Sequence, residues 1–138
     1  DLDRAISDYN RALEINPRLA EAYYNRGNAY YDKGDLDRAI SDYNRALEIN
    51  PRLAEAYYNR GNAYYDKGDL DRAISDYNRA LEINPRDAEA YFNKARACEE
   101  VGRIKEAIEA YKDFIKYAPP QYYSYIEYAK QRIEALSE

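Results

Sequence analysis

Shifted by 34 positions, residues 1–52 fall on residues 35–86 without a mismatch. The string AYYNRGNAYYDKGDLDRAISDYNRALEINPRLAE runs from Ala22 to Glu55 and starts again at Ala56, until Asp87 breaks the copy. A weaker likeness continues, with Pro85 followed by Pro119 and Gly68 by Gly102. A period of this length marks an array of supersecondary units. No such unit can bury its own apolar face, so each must gain stability by stacking on the next.

Within one period, Ala20, Tyr23, Tyr24, Gly27, Tyr30 and Tyr31 recur at three- and four-residue steps, which gathers them on one side of a helix. Gly34 ends that segment, and Asp35 can accept the free amides that open the next helix. Leu36, Ala39, Ile40, Tyr43, Ala46 and Leu47 mark a second amphipathic face. Asn50 and Pro51 stop it, since proline cannot donate within a helix and disfavours helical backbone before it. Helices are therefore expected over about 1–15, 20–33, 36–49, 54–67, 70–83, 88–101, 104–117 and 122–136. Gly27 and Gly61 are expected to let neighbouring helices approach closely, at roughly 1 kcal/mol of lost helix propensity each. Pairs such as Arg38 with Asp42 are expected at the surface, adding a few tenths of a kcal/mol.

Tyrosine dominates the apolar inventory: Tyr 18, against Phe 2 and Trp 0. A tyrosine ring fills a core while its hydroxyl stays near water, which suits a thin two-layer structure. With net charge -5 and interspersed signs, the chain lacks the basic face that a nucleic-acid partner requires. It also lacks the basic amphipathic helix of a membrane-surface protein and any long apolar run. The single cysteine, Cys98, excludes an intrachain disulfide. Together with the missing leader and spanning segment, that gives a cytoplasmic expectation. Asp1 is no initiator residue, so a processed chain or a fragment is expected.

These positions resemble the tetratricopeptide repeat family, whose unit has 34 residues and a W-x2-L-G-x2-Y…A-x3-F…P pattern. The matching residues are Tyr23, Gly27, Tyr30, Ala39, Tyr43, Ala46 and Pro51, and again Tyr57, Gly61, Tyr64, Ala73, Tyr77, Ala80 and Pro85. A third unit has Tyr91, Ala95, Cys98, Ala107, Tyr111 and Pro119. Tyrosine stands for the family tryptophan. Arg26, Arg60 and Lys94 stand for the family leucine, and their methylenes are expected to cover apolar surface while the charge reaches water. The resemblance implies an all-α fold, a right-handed superhelical solenoid of antiparallel helix pairs. Its expected organisation is a second-type helix of an incomplete repeat over 1–19, repeats over 20–53 and 54–87, a divergent repeat over 88–121, and a capping helix over 122–138. Leu2, Ile6 and Tyr9, at the uncapped end, are expected to be less covered than their later copies.

The resemblance further implies that first-type helices line a concave face that holds peptides or partner proteins. The residues mapped there are Tyr24, Asn25, Asn28, Tyr31 and Asp32, then Tyr58, Asn59, Asn62, Tyr65 and Asp66, then Phe92, Asn93 and Arg96; Glu21, Glu55, Glu89, Glu99 and Glu100 share the face. Asparagine can both donate to and accept from an extended backbone, and tyrosine gives rigid contact area. The carboxylates favour a basic segment, or one containing aromatic residues. Some members hold acidic chaperone tails in a carboxylate clamp. Asn28 and Asn59 occupy two of its positions, but Tyr24, Glu89 and Asn93 stand where its basic residues would, which argues against that ligand.

Catalysis has little support. There is no histidine, Cys98 has no evident activating neighbour, and the carboxylates recur with the scaffold rather than across a cleft. No metal or cofactor is implied, since the GDLD loop is too short for calcium. The expected function is non-catalytic protein or peptide binding. The alternative is a structural or engineered repeat module without a dedicated ligand, prone to end-to-end association. Perfect copying comes from recent duplication or from deliberate writing, and it favours the alternative.

Overall fold

The computed structural model describes all residues, 1–138. Eight α-helices follow one another: α1 Leu2–Ile15, α2 Ala20–Asp32, α3 Leu36–Ile49, α4 Ala54–Asp66, α5 Leu70–Ile83, α6 Ala88–Val101, α7 Ile104–Tyr117 and α8 Tyr123–Leu136. A single 3₁₀ turn, Pro120–Tyr122, precedes α8. Two kinds of turn join them. After α2, α4 and α6, Gly34, Gly68 and Gly102 take φ near +85° (85°, 84° and 87°), the left-handed region glycine enters without strain. Asp35 and Asp69 then cap α3 and α5 by accepting from Arg38 N at 3.2 Å and Arg72 N at 3.4 Å. After α1 and α3 the Asn–Pro turn closes differently: Asn16 and Asn50 each accept from a backbone N–H two residues on, at 3.1 Å.

Each helix packs on the next, and the tightest pairings are the hairpins α2–α3, α4–α5 and α6–α7. Across units, α2 touches α4 and α4 touches α6, with no comparable approach between α3 and α5. The array thus curves with α2, α4 and α6 on its inner side. Close approach within a hairpin depends on small residues. Ala39, Ala73 and Ala107 are fully buried, and a Cβ added to Gly27 or Gly61 would sit 2.8 Å from the ring of Tyr43 or Tyr77. The mid-helix glycines are packing residues.

Three expectations need correction. The Arg26 guanidinium is not left to water alone: its Nε and Nη2 bind both oxygens of Asp42 at 2.8 and 2.7 Å, and its Nη1 donates to Asn10 at 2.8 Å, while the side chain stays 20% exposed. Arg60 repeats this on Asp76 and Asn44. Asp42 is accordingly a buried residue, 4% exposed, rather than the surface partner of Arg38, which faces Asp35 instead. A buried carboxylate requires a paired, hydrogen-bonded cation, and the arginine fork supplies two parallel bonds. Burial is the largest single influence on Arg60 and opposes its charge, yet the Asp76 hydrogen bonds and the attraction of the Asp76 charge together outweigh it and raise the arginine pKa. Finally, the uncovered end is only partly as expected. Tyr9 is half-buried where Tyr43 and Tyr77 are 1% exposed, and Leu2 is exposed; Ile6, at 9%, is less covered than its copy Ile74, at 1%, but more covered than its half-buried copy Ile40.

Candidate functional site

On the inner side, a ladder of amides and hydroxyls runs from unit to unit. Tyr43 and Tyr77, buried under the hairpins, donate to Asn28 Oδ1 and Asn62 Oδ1 at 2.6 Å. The next unit adds a second donor to the same oxygens: Asn59 Nδ2 reaches Asn28 at 3.0 Å, and Asn93 Nδ2 reaches Asn62 at 3.2 Å. The same amides also meet the Tyr24 and Tyr58 hydroxyls, at 3.0 and 2.8 Å. With its oxygen occupied, Asn28 keeps Nδ2 free, Asn62 turns to the Tyr58 hydroxyl, and Asn59 and Asn93 keep Oδ1 free. The face offers unspent donors and acceptors at a fixed spacing. Asn25 occupies the matching position on α2 and makes no bond of this kind.

A second ladder lies beside the first. Tyr31 donates to Asp66, and Tyr65 to Glu100, each from one unit to the next. Burial, then these carboxylates, raise both phenol pKa values, that of Tyr65 to about 12. Asp32, at the open end of this ladder, receives no such bond and is exposed.

The ladders border three clefts. One of about 300 Å³ lies among Asn28, Tyr31, Asp32, Tyr43, Asn59 and Asn62. The next, about 240 Å³, is lined by Tyr31, Asn62, Tyr65, Asp66, Tyr77, Asn93 and Arg96. The third, about 340 Å³, is walled by Tyr58, Glu89, Phe92, Asn93, Arg96, Phe114, Tyr122 and Tyr125. Shared residues make them one discontinuous furrow along α2, α4 and α6. It brings together eleven of the thirteen mapped residues. Tyr24 and Asn25 stay outside the lining; the Tyr24 ring packs instead on Tyr43, 6.1 Å between centroids.

Tyr122 and Tyr125 were missed, because the last helix was expected only to cover its neighbours. It does cover them: Ala129 is fully buried, and Arg132 forms an ion pair with Glu99. Burial opposes ionisation of Glu99, but the Arg132 and Tyr111 hydrogen bonds outweigh it and lower the pKa. The 3₁₀ turn nevertheless brings Tyr122 to the furrow, where its hydroxyl donates to Glu89 at 2.8 Å. The aromatic run YYSY was the available signal.

Cys98 is fully buried, and burial pushes its thiol pKa up, the opposite of an activated nucleophile. No group of three or more Cys, Asp or Glu side chains is placed to hold a metal ion, and no helix is long and apolar enough to cross a membrane.

Family models place this geometry. A TPR repeat model matches residues 1–34 and 27–68, and tetratricopeptide repeat models match residues 54–87 and 76–109. The chain belongs to the tetratricopeptide repeat family. Its solved relatives include MamA, with a TM-score of 0.84 at 26% identity over 99% of this chain and 86% of that one. The TPR domain of Arabidopsis OM64 has a TM-score of 0.77 at 26% identity, over 84% and 94%. The first TPR of Spaghetti (RPAP3), solved bound to the HSP90 peptide SRMEEVD, shares the tetratricopeptide fold, with a TM-score of 0.78 at 24% identity over 86% and 94%. Comparison with curated proteins gives no match.

Proposed function

We propose that this tetratricopeptide array is a non-catalytic scaffold whose furrow holds an extended segment of a protein or peptide, preferably one with basic or aromatic residues. The carrying observation is the asparagine ladder. Asn28 and Asn62 have their side-chain oxygens committed within the protein, the Asn28 amide makes no hydrogen bond to it, and Asn59 and Asn93 keep their own oxygens unpaired. Free amide donors beside free amide acceptors match a peptide backbone, which alternates the same groups. The charge supports a basic ligand: Asp32, Asp66 and Glu89 line the furrow against a single cation, Arg96. An acidic peptide such as the one held by the Spaghetti domain finds Tyr24, Glu89 and Asn93 where a basic clamp would be needed.

Calorimetric titration with pooled basic and pooled acidic peptides tests the proposal. The basic pool binds, and Asp32→Asn with Asp66→Asn weakens it several-fold, because Coulomb attraction is lost while the Tyr31 bond keeps an acceptor. Preference for the acidic pool overturns it. Asn28→Ala is a poor probe here, since it also strips the buried Tyr43 hydroxyl of its acceptor.

The open flank of α1 favours a second reading, end-to-end association. Asp8 is exposed where its copies Asp42 and Asp76 are buried against arginines. Sedimentation over a concentration series tests it, and a strict monomer at high concentration contradicts it.

A further inference from the structure

The three clefts differ in chemistry. The first two are lined by amides, carboxylates and hydroxyl-bearing rings, with Arg96 of the divergent repeat closing the second, whereas the third is aromatic on most sides. Phe92 is its floor, with its ring 4.9 Å from Phe114 and edge-on to Tyr125 at 5.4 Å. Tyr122 stands edge-on to Tyr125 at 6.2 Å, and Tyr58 closes the opposite wall. One carboxylate, Glu89, sits among these rings, accepting from Tyr122 at 2.8 Å and facing the Tyr58 hydroxyl at 3.5 Å. The Tyr122 hydroxyl is spent on that carboxylate, while the Tyr58 hydroxyl only approaches it and accepts from Asn93 at 2.8 Å. Arg96 reaches the lining too, but its guanidinium lies over the Tyr65 ring, 5.3 Å from the centroid, at the wall shared with the middle cleft.

We infer that this cleft is an anchor for one cationic side chain, Lys or Arg, of the segment held in the furrow. Electron-rich faces attract a cation, a carboxylate among them adds a direct partner, and partial exclusion of water strengthens both. A neutral apolar residue would fill the same volume but gain nothing from the Glu89 charge, which a Lys or Arg meets directly. The position inverts the charge of a tail-binding clamp, since Glu89 stands where that clamp places a lysine. The inference rests on the peptide-furrow reading and adds to it a location and a residue type.

The test compares two synthetic peptides, acetyl-Tyr-Gly-Arg-Gly-Tyr-amide and its citrulline counterpart, which has the same shape without the charge. Each is titrated into the isotope-labelled chain and followed by NMR. The arginine peptide is expected to shift Glu89, Phe92, Tyr122 and Tyr125 and to bind at least about fivefold tighter than the citrulline peptide. Glu89→Gln, at an exposed site that leaves the fold alone, should erase most of that difference, and Tyr125→Ala should weaken the arginine peptide several-fold. Equal affinities, with shifts confined to Asn28, Asn59 and Asn62, overturn the anchor and leave the furrow standing. Absence of shifts from either peptide at millimolar concentration overturns both. Tighter binding of a glutamate-bearing analogue, dependent on Arg96, assigns the cleft the opposite charge and also overturns the anchor.

Discussion

The two exact repeats and the divergent third reach the same helix hairpin by different means. In the first two, an arginine fork on α2 or α4 grips a buried aspartate on α3 or α5, and a glycine admits the neighbouring tyrosine ring. In the third, Lys94 and Ala110 replace that ion pair, Ala95 replaces the glycine, and Cys98 replaces a tyrosine. Apolar packing takes over: one cluster of twelve buried residues spans α5, α6, α7 and α8, including Cys98, Tyr111 and Phe114. The buried tyrosine hydroxyl is also handed to a different acceptor. Tyr111 donates to Glu99 at 3.0 Å, and Glu99 is held by Arg132 from α8. A repeat frame is therefore defined by which groups must be satisfied, and not by one set of residues that satisfies them.

The largest effect should come from breaking the polar solution by halves. Arg60→Ala strands Asp76 in the interior and is expected to cost about 2–4 kcal/mol, allowing for the partial exposure of the arginine. Transplanting the third unit's own choice, Arg60→Lys with Asp76→Ala, should recover most of that loss. Lys94→Ala should barely register. Urea unfolding of the three variants checks the contrast, and an equal cost for Arg60→Ala and Lys94→Ala would remove it.

Alkali should erode both halves together. Burial raises the pKa of Tyr43, Tyr77 and Tyr111, so the folded chain keeps protons that the unfolded chain releases near pH 10. Stability is then full below pH 10 and falls as pH climbs toward the folded values, by about 1 kcal/mol per tyrosine at pH 11. Urea midpoints measured between pH 8 and 11 show this as a decline beginning near 10. Tyr77→Phe and Tyr111→Phe should each flatten it by a similar amount.

The smallest effect concerns the glycine. Gly61→Ala gains about 1 kcal/mol of helix propensity but drives a methyl 2.8 Å from the Tyr77 ring, so a net loss of about 1 kcal/mol is expected. The reverse change in the third unit, Ala95→Gly, loses propensity and packing without relieving any clash. Thermal unfolding that shows Gly61→Ala to be stabilising would mean that Tyr77 yields as freely as Tyr111 does.

Periodicity made the helices legible almost to the residue, because apolar spacing, glycine turns and Asn–Pro stops all pointed to the same boundaries. The mid-helix glycines were legible for the same reason. The arginine–aspartate pair was not. Arg26 and Asp42 lie sixteen residues apart on different helices, so helical spacing assigned Asp42 to Arg38 instead. A trace of the pair was nonetheless present, since both members vanish together at Lys94 and Ala110. The asparagine ladder joins side chains 31 and 35 residues apart, and only the stacking geometry reveals which oxygens it consumes. Tyr122 and Tyr125 escaped because an aromatic cap and an aromatic cleft wall look alike until the turn before α8 sets their direction.

One titration tests the furrow itself. A labelled chain receiving a basic peptide, followed residue by residue, should show saturable shifts at Asn28, Asn59, Asn62 and Tyr125 on the inner side. Arg45 and Arg79, on the second-type helices, should stay still. Saturable shifts centred on those outer arginines, with the inner asparagines unmoved, would contradict the account.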